Sequence, residues 1–277
     1  MIVDSHHHFW DPARRDYPWM GDALAAIRRP FGPADLQPLL TEGRIDRTVL
    51  VQTVSSLDET REFLATAAAN EFIAGVIGWI DLRDEAAGDI IEGLRRGIGG
   101  DHLVGIRHQV HDEADPRWLL RDDVQRGIAS VGSAGLVYDL LVRTRELPAA
   151  LETVRRHPEV DFVIDHAAKP RIASGAWDGE WQKAMEPLGQ EPNVACKISG
   201  LVTEADWTSW TVDQLRPYVE SVLRWFGPAR CMFGSDWPVC LLAASYAEVL
   251  AAMRSIVGDN EDVFGRTATR VYALDRS

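Results

Sequence analysis

The sequence predicts an α/β fold made of a single (β/α)8 TIM-like barrel over residues 1–277. Three observations lead to this prediction. Eight short apolar segments recur along the chain, segments with a helical pattern separate them, and 277 residues is the length of one such barrel. Strands that alternate with helices in this way form a parallel sheet.

The eight apolar segments have the composition of strands that are buried on both faces. Most are rich in Val, Ile or Leu and are bounded by polar residues or glycine. The predicted strands are Ile2–Ser5, Thr48–Thr53, Ile73–Ile80, Leu103–Arg107, Gly135–Tyr138, Phe162–Asp165, Val194–Ser199 and Cys231–Gly234.

Seven helices are predicted between or after these strands, several of which close with Gly or with a following Pro. They are Leu57–Glu71, Ala87–Gly97, Asp122–Gly132, Leu147–His157, Trp177–Leu188, Val212–Phe226 and Tyr246–Val257. The first connection, Phe9–Gln37, is long and carries four prolines, so we expect a loop over the mouth of the barrel. A doubly wound open sheet is the alternative, but it usually has a glycine-rich turn after its first strand, where this chain has DSHHHFW.

Composition narrows the class of protein. The formal net charge of −13 argues against a nucleic-acid partner, because phosphate binding needs clustered Lys and Arg. Three cysteines without a CxxC pair are typical of a reducing compartment. We find neither the pattern of a signal peptide nor an apolar run long enough for a membrane span, so we expect a cytoplasmic protein that binds no membrane.

Polar residues collect at the predicted C-terminal ends of the strands, which is where the active sites of such barrels lie. His6 and His8 follow the first strand, His166 follows the sixth and Asp236 follows the eighth. The other polar or aromatic residues at or near these ends are Gln52, Trp79, Asp81, Arg107, His108, Tyr138, Asp139, Asp165 and Lys197. This agreement supports both the strand assignments and a catalytic site.

The spacing of the first two histidines has a physical meaning. Residues i and i+2 of an extended segment point to the same face, so His6 and His8 should converge on the barrel axis while His7 points outward. Two imidazoles on one face can ligate a divalent metal. Together with His166 and Asp236 they form a candidate metal-binding and catalytic cluster.

Several motifs resemble those of the amidohydrolase superfamily, in particular its sugar-lactonase-like branch. They are DSHHHFWDP, GIRHQVHDEADPRWLLRDDV, DHAAKP, CKISGL and FGSDWPV, and they cover essentially the whole chain in the right order. The resemblance implies a distorted barrel of the amidohydrolase type and hydrolysis at a carbonyl centre.

The resemblance also limits the metal content. Binuclear members use a lysine after the fourth strand and a histidine after the fifth, where this chain has Arg107–His108 and Tyr138–Asp139. The resemblance therefore implies at most one divalent ion, with Zn²⁺ favoured, held by His6, His8, His166 and Asp236. Catalysis without a metal stays open.

We expect a small-molecule sugar lactone as the substrate. Asp236 would act as general base on water, and His6, His8 and His166 would polarise the carbonyl, with or without the ion. Arg107 and Lys197 are predicted to orient the ring oxygen or hydroxyls, and one of them to assist the departing alkoxide. Further predicted substrate-binding residues are Trp10, Trp79, Tyr138 and Trp237.

Two other functions stay open at this point. Barrels of this kind also hydrolyse carboxylated, aromatic-derived lactones or decarboxylate acids, and such substrates need several cations in the pocket. A non-catalytic sugar or metal binder is the second alternative. Neither the identity of the lactone nor the oligomeric state follows from the sequence, and a homo-oligomer is compatible with it.

Overall fold

The computed structural model of the chain describes residues 1–275. Its eight strands form one parallel sheet in the order β1 to β8, which confirms the predicted (β/α)8 barrel. The strands are β1 Val3–His7, β2 Arg47–Val51, β3 Ile73–Gly78, β4 Leu103–His108, β5 Val137–Leu140, β6 Phe162–Ile164, β7 Val194–Ile198 and β8 Cys231–Phe233. Each lies within a few residues of its predicted position.

The barrel closes just beyond the end of β8. The backbone N–H of Asp236 donates to the carbonyl oxygen of His6 at 2.8 Å, and that of His8 donates to the carbonyl of Trp237 at 2.7 Å. Two residues that carry candidate site side chains, Asp236 and His8, thus also make the closing hydrogen bonds. The site is therefore fixed by the backbone of the barrel itself.

Within the described residues, ten α-helices surround or follow the strands. They are α1 Pro33–Gly43, α2 Leu57–Ala68, α3 Ala87–Arg95, α4 Asp122–Ser133, α5 Leu147–Arg156, α6 Gly179–Met185, α7 Leu201–Glu204, α8 Val212–Phe226, α9 Tyr246–Val257 and α10 Thr267–Val271. The predicted helices are all present, although α6 is shorter than predicted and passes into a 3-10 segment. None of the helices of the described residues has the length and apolarity that a membrane crossing requires.

The helix α1 was not predicted, because the prolines around it were interpreted as loop signals. Pro33 stands at the first helical position, where its fixed φ suits the helix and its missing N–H costs no hydrogen bond. Asp35 then caps the start by accepting from the N–H of Gly32 at 2.9 Å. The long first connection therefore ends in a helix, and its earlier part contains a 3-10 segment, Asp22–Ile27.

Two separate apolar layers pack on the two faces of the sheet. The barrel interior contains side chains from alternate strand positions, including Val49, Val51 and Ile77, and the C-terminal segment adds Tyr272 to it. The outer layer packs the strands against the helices. Tyr272 is buried, so the C-terminal segment fills the lower end of the barrel.

The alternation of inward and outward side chains is interrupted within β1, before the strand reaches the site. Its register with β2 is irregular between Asp4 and His7. Asp4 accepts a hydrogen bond from Tyr246 of α9, on the helix side, whereas His6 contacts charged side chains inside the barrel. This irregularity lets His6 face inward although Val3, three residues earlier, also faces the interior.

Candidate active site

Four side chains predicted as a cluster meet where β1, β6 and β8 end. Nε2 of His8 lies 3.1 Å from Nε2 of His6 and 3.4 Å from Oδ1 of Asp236. The same oxygen lies 3.8 Å from Nε2 of His6 and 3.9 Å from Nε2 of His166. All four residues are buried, so their polar atoms face one another in a place with little water.

The other ring nitrogen of each histidine is held by a neighbour. Nδ1 of His8 lies 2.7 Å from the carbonyl oxygen of Val51, and a carbonyl can only accept. The Nδ1 atom of His8 therefore carries the proton, and in the neutral ring Nε2 keeps its lone pair. Nδ1 of His166 lies 2.9 Å from Oγ of Ser199. Such partners orient the rings of metal-binding histidines.

Burial sets the charge state of the cluster. Burial lowers the pKa of His6 and that of His166 well below the usual range, so both rings are neutral at pH 7. For Asp236, burial would raise the pKa, but His166, His8 and Lys169 outweigh it and hold the pKa below its usual value. The site therefore pairs neutral imidazoles with one ionised carboxylate, which is a donor set for a divalent cation.

His7 faces away from this cluster, as the strand period predicts. Its Nε2 lies 2.9 Å from Oγ1 of Thr48, and its ring packs against Phe9. Burial lowers the pKa of His7 to about 3, so it stays a neutral packing residue.

Arg107 is fully engaged by residues of the barrel interior. Its Nε donates to Oε1 of Gln52 at 3.1 Å, and its Nη2 donates to the same oxygen and to the backbone carbonyl of Gln52. Its Nη1 donates to Oδ2 of Asp165 at 2.9 Å and lies 3.3 Å from Nε2 of His6. The positive charge of Arg107 therefore reaches the cluster beside His6, but its other N–H groups point elsewhere.

Lys197 lies beneath His6 in a buried ionic network. Its Nζ is 2.5 Å from Oδ2 of Asp139, 3.1 Å from Oδ1 of Asp165 and 3.3 Å from Nδ1 of His6. Tyr272 donates its hydroxyl to Asp139 at 3.0 Å. Burial would raise the pKa of Asp165, but Lys197, His6 and Arg107 keep it well below its usual value. The network holds His6 from below.

Unusual backbone conformations place two of the four site residues. His166 and Asp236 both have positive φ, 54° and 56°. For residues with a Cβ this conformation costs on the order of 1–3 kcal/mol and persists only where the surroundings impose it. Gly200, with φ of 64°, comes so close that a Cβ there would lie 2.6 Å from Nδ1 of His166. This glycine is therefore required by both conformation and space.

A cavity of about 140 Å³ opens above the cluster at the C-terminal ends of the strands. Its wall consists of His8, Trp19, Thr53, Arg107, Gln109, His111, Asp112, Leu141, His166, Lys169, Asp236 and Val239. Most residues of the wall have polar side chains, two of them cations, and the wall surrounds the edge of the cluster that a small molecule would reach.

Several predicted substrate-binding residues lie outside this wall. Trp10 packs behind His8 and faces a separate surface cavity of about 350 Å³ beside α2. Trp237 packs on Phe9 and Phe31 in the apolar layer, and Tyr138 packs on Phe162. Trp79 donates its indole N–H to Nδ1 of His108. Lys197 is buried beneath His6, and of the predicted substrate-binding set only Arg107 lines the cavity.

Sequence reasoning missed other residues of the wall. Trp19 belongs to the long first connection, whose path no strand pattern fixes. His111 follows β4, and the charged residues after it in the sequence are typical of a surface loop. Lys169 carried a usable signal, because it is one of three lysines and lies within the DHAAKP motif directly after β6.

Three of the four clustered residues lie close enough together to hold a single divalent ion. The potential ligand atoms of His6, His166 and Asp236 lie within 4.8 Å of one another, and Nε2 of His8 lies beside them, 3.1 Å from Nε2 of His6. Bonds of about 2.0–2.1 Å in a tetrahedron put ligand atoms roughly 3.3 Å apart. Oδ1 of Asp236 lies 3.8 Å from Nε2 of His6 and 3.9 Å from Nε2 of His166, somewhat farther apart than that value.

A (β/α)8 barrel with imidazoles and a carboxylate gathered at the C-terminal ends of its strands has the architecture of a barrel enzyme with a candidate metal site. The family model described as amidohydrolase matches residues 3–274, and the chain belongs to that family. This confirms the resemblance seen in the motifs.

Two named relatives cover nearly the whole chain. A protein of Burkholderia ambifaria named L-fucono-1,5-lactonase is 40% identical over 283 residues, which span 99% of this chain and 96% of that protein. One of Burkholderia multivorans with the same name is 39% identical over 287 residues, 98% of this chain and 96% of that protein. A crystal structure of an amidohydrolase from Burkholderia multivorans with bound zinc matches with a TM-score of 0.93 and 38% identity, over 99% of each chain.

Proposed function

We propose that this chain is a lactonase that opens the ring of a sugar-acid lactone by attack of water on the carbonyl. The observation that carries the proposal is the convergence of the Asp236 carboxylate with Nε2 of His6, His8 and His166 at the floor of the cavity. The names of the two Burkholderia relatives support the substrate class.

Asp236 is the general base of the proposed reaction. Its pKa lies below the usual value, so the carboxylate is ionised and accepts a proton from water as the water oxygen attacks the carbonyl carbon. Its position is fixed, because its backbone N–H closes the barrel on His6 and its φ of 56° is imposed by that closure. A fixed base needs no rearrangement when the substrate binds.

Arg107 stabilises the negative charge that develops on the carbonyl oxygen. Its Nη1 lies 3.3 Å from Nε2 of His6, so its charge faces the floor of the cavity within a buried, low-dielectric place. Asp165 and Gln52 hold the guanidinium plane and keep the charge in place.

His6, His8, His166 and Asp236 are also the residues that would hold one divalent ion. When bound, such an ion supplies Lewis acidity toward a carbonyl oxygen and lowers the pKa of water. The zinc of the Burkholderia multivorans structure makes Zn²⁺ the first ion to test.

The wall of the cavity favours a neutral, polyhydroxylated substrate. Gln109, His111 and Asp112 supply polar atoms of both hydrogen-bonding kinds, and of the two cations of the wall Arg107 is already bound to Gln52 and Asp165. A substrate with several carboxylates would need further cations, so we do not favour the hydrolysis of carboxylated aromatic lactones or decarboxylation.

A panel of sugar-acid 1,5- and 1,4-lactones tests the proposal by continuous measurement of acid release. We expect a sugar-acid lactone to be opened with a rate well above its spontaneous hydrolysis, and the same assay with carboxylated aromatic lactones to show none. Tight binding of a lactone in calorimetry without acid release would instead make the protein a binder.

A further inference from the structure

Ring opening of a lactone leaves an alkoxide that must acquire a proton, and neither cation predicted for this task can supply it. Lys197 is buried beneath His6 and bound by Asp139 and Asp165. Arg107 lines the cavity, but its guanidinium cannot give up a proton in a protein. The donor for the leaving oxygen has to come from another part of the cavity wall.

Lys169 has the required position. It lines the cavity together with His166 and Asp236. It ends a run of four consecutive residues with positive φ that starts at His166, and its own φ is 53°. Four such residues in succession are costly, so the turn is held by its surroundings, which include the indole N–H of Trp181 donating to the carbonyl of Ala167 at 2.7 Å. The turn holds Lys169 on the same wall as the general base.

The ammonium of Lys169 is anchored but retains donors. Its Nζ donates to Oε1 of Glu204 at 2.7 Å, and both side chains are 14% exposed. An ammonium has three N–H groups, so two remain for a molecule in the cavity. The charge of Lys169 also contributes to lowering the pKa of Asp236 and that of His111, which lie on different parts of the wall.

We propose that Lys169 is the general acid that protonates the leaving ring oxygen, with Glu204 as its positioning residue; this inference rests on the proposed lactonase function. As water adds to the carbonyl carbon, its proton passes to Asp236. The bond between the carbonyl carbon and the ring oxygen then breaks, and its electron pair takes a proton from Nζ of Lys169. The products are one hydroxyl and one carboxylic acid, and proton exchange with solvent restores both side chains.

A comparison of two substrates tests this role in the Lys169→Met variant. One is the lactone found for the wild type, and the other is the corresponding thiolactone, in which sulfur replaces the ring oxygen. Thiols ionise readily, with a pKa of about 8.5 for cysteine, so a thiolate leaves without a proton donor. We expect kcat/KM to fall by about 10²-fold or more for the lactone and by less than about 10-fold for the thiolactone.

Lys183→Met is the matched control, because Lys183 is exposed on α6 and should leave both rates unchanged. Lys169→Arg is the second variant, to be used if Lys169→Met does not fold. It preserves the pairing with Glu204 but supplies a weaker acid, so kcat/KM should again fall more for the lactone than for the thiolactone. Glu204→Gln should lower kcat/KM for the lactone by a smaller factor than Lys169→Met, because Lys169 is still present but less well positioned. Circular dichroism on each variant checks folding.

Equal losses for lactone and thiolactone in the Lys169 variants would overturn the inference and leave the lactonase function standing. A wild type that releases acid from no lactone would instead overturn the proposed function and this inference with it. The two failures are thus distinguished by the wild-type assay alone.

Discussion

Nε2 of His6, in β1, lies 3.1 Å from Nε2 of His8, which directly follows the end of that strand. The Nδ1 proton of His8 is committed to the carbonyl of Val51, so its Nε2 presents a lone pair to His6. Two ring nitrogens at this separation either share a proton or bind a common cation. Substitution of either histidine therefore tests whether the pair binds a cation.

Metal binding should depend on this group of histidines. We expect protein produced without a tag to contain about one divalent ion per chain by elemental analysis, and His8→Asn and His166→Asn to contain much less, because each removes a ligand atom. His157→Asn, at the end of α5, is the control. Full metal content in both ligand variants would contradict the assignment of these residues.

Removal of the general base should slow turnover without unfolding the protein. In Asp236→Asn we expect kcat to fall by about 10²–10⁴-fold, because the amide cannot accept the proton of water. Acid release from the lactone measures it, and thermal unfolding checks stability. Asp259→Asn, an exposed carboxylate, should behave as the wild type. A near-normal kcat in Asp236→Asn would refute the role of this residue.

Gly200 should tolerate no side chain. Gly200→Ala places a Cβ 2.6 Å from Nδ1 of His166 at a positive φ, so we expect loss of activity and a lower free energy of unfolding. Gly175→Ala is a close control, since Gly175 also has a positive φ of 70° but open space around it. It should lose about 1–2 kcal/mol of stability and keep its activity. Activity in Gly200→Ala equal to that of Gly175→Ala would show that the close approach to His166 is unimportant.

The stability of the protein should fall in mild acid, partly because of His111. Burial, together with Lys169, Arg143 and Arg107, lowers the pKa of this histidine to about 3 in the folded state. The unfolded chain takes up the proton near pH 6.5, so the contribution of His111 is fully present above pH 6.5 and is lost as the pH falls from there toward 3. Between pH 6.5 and 5 the loss amounts to at most roughly 2 kcal/mol.

Urea unfolding at pH 6.5 and pH 5 measures this loss. His111→Asn should show a smaller change between the two pH values than the wild type, and His102→Asn, at the base of β4, should match the wild type. An unchanged pH dependence in His111→Asn would show that this residue does not contribute.

The barrel and the proximity of the four clustered residues could be predicted from the sequence, because both follow from local patterns of residues. Buried parallel strands are apolar runs, and active-site groups follow their C-terminal ends. Sequence reasoning was less successful with the aromatic residues near those ends. Trp10, Trp79, Tyr138 and Trp237 are close to strand ends in the sequence, but their side chains pack outside the wall of the cavity. The local sequence around a tryptophan does not distinguish one that packs in a core from one that lines a pocket.

The order of the strands and the positions of His6, His8, His166 and Asp236 at the strand ends thus follow from local signals in the sequence. The tertiary structure decided the rest, because it depends on contacts between distant elements. The irregular register between Asp4 and His7 sets the phase that turns His6 inward, and the ion pairs of Lys197 with Asp139 and Asp165 remove that lysine from the cavity. Lys169 takes a place on the wall because a left-handed turn and Glu204 hold it there. The pattern of apolar and polar residues does not predict such positions, because they depend on ion pairs between residues that are distant in the sequence and meet only in the folded barrel.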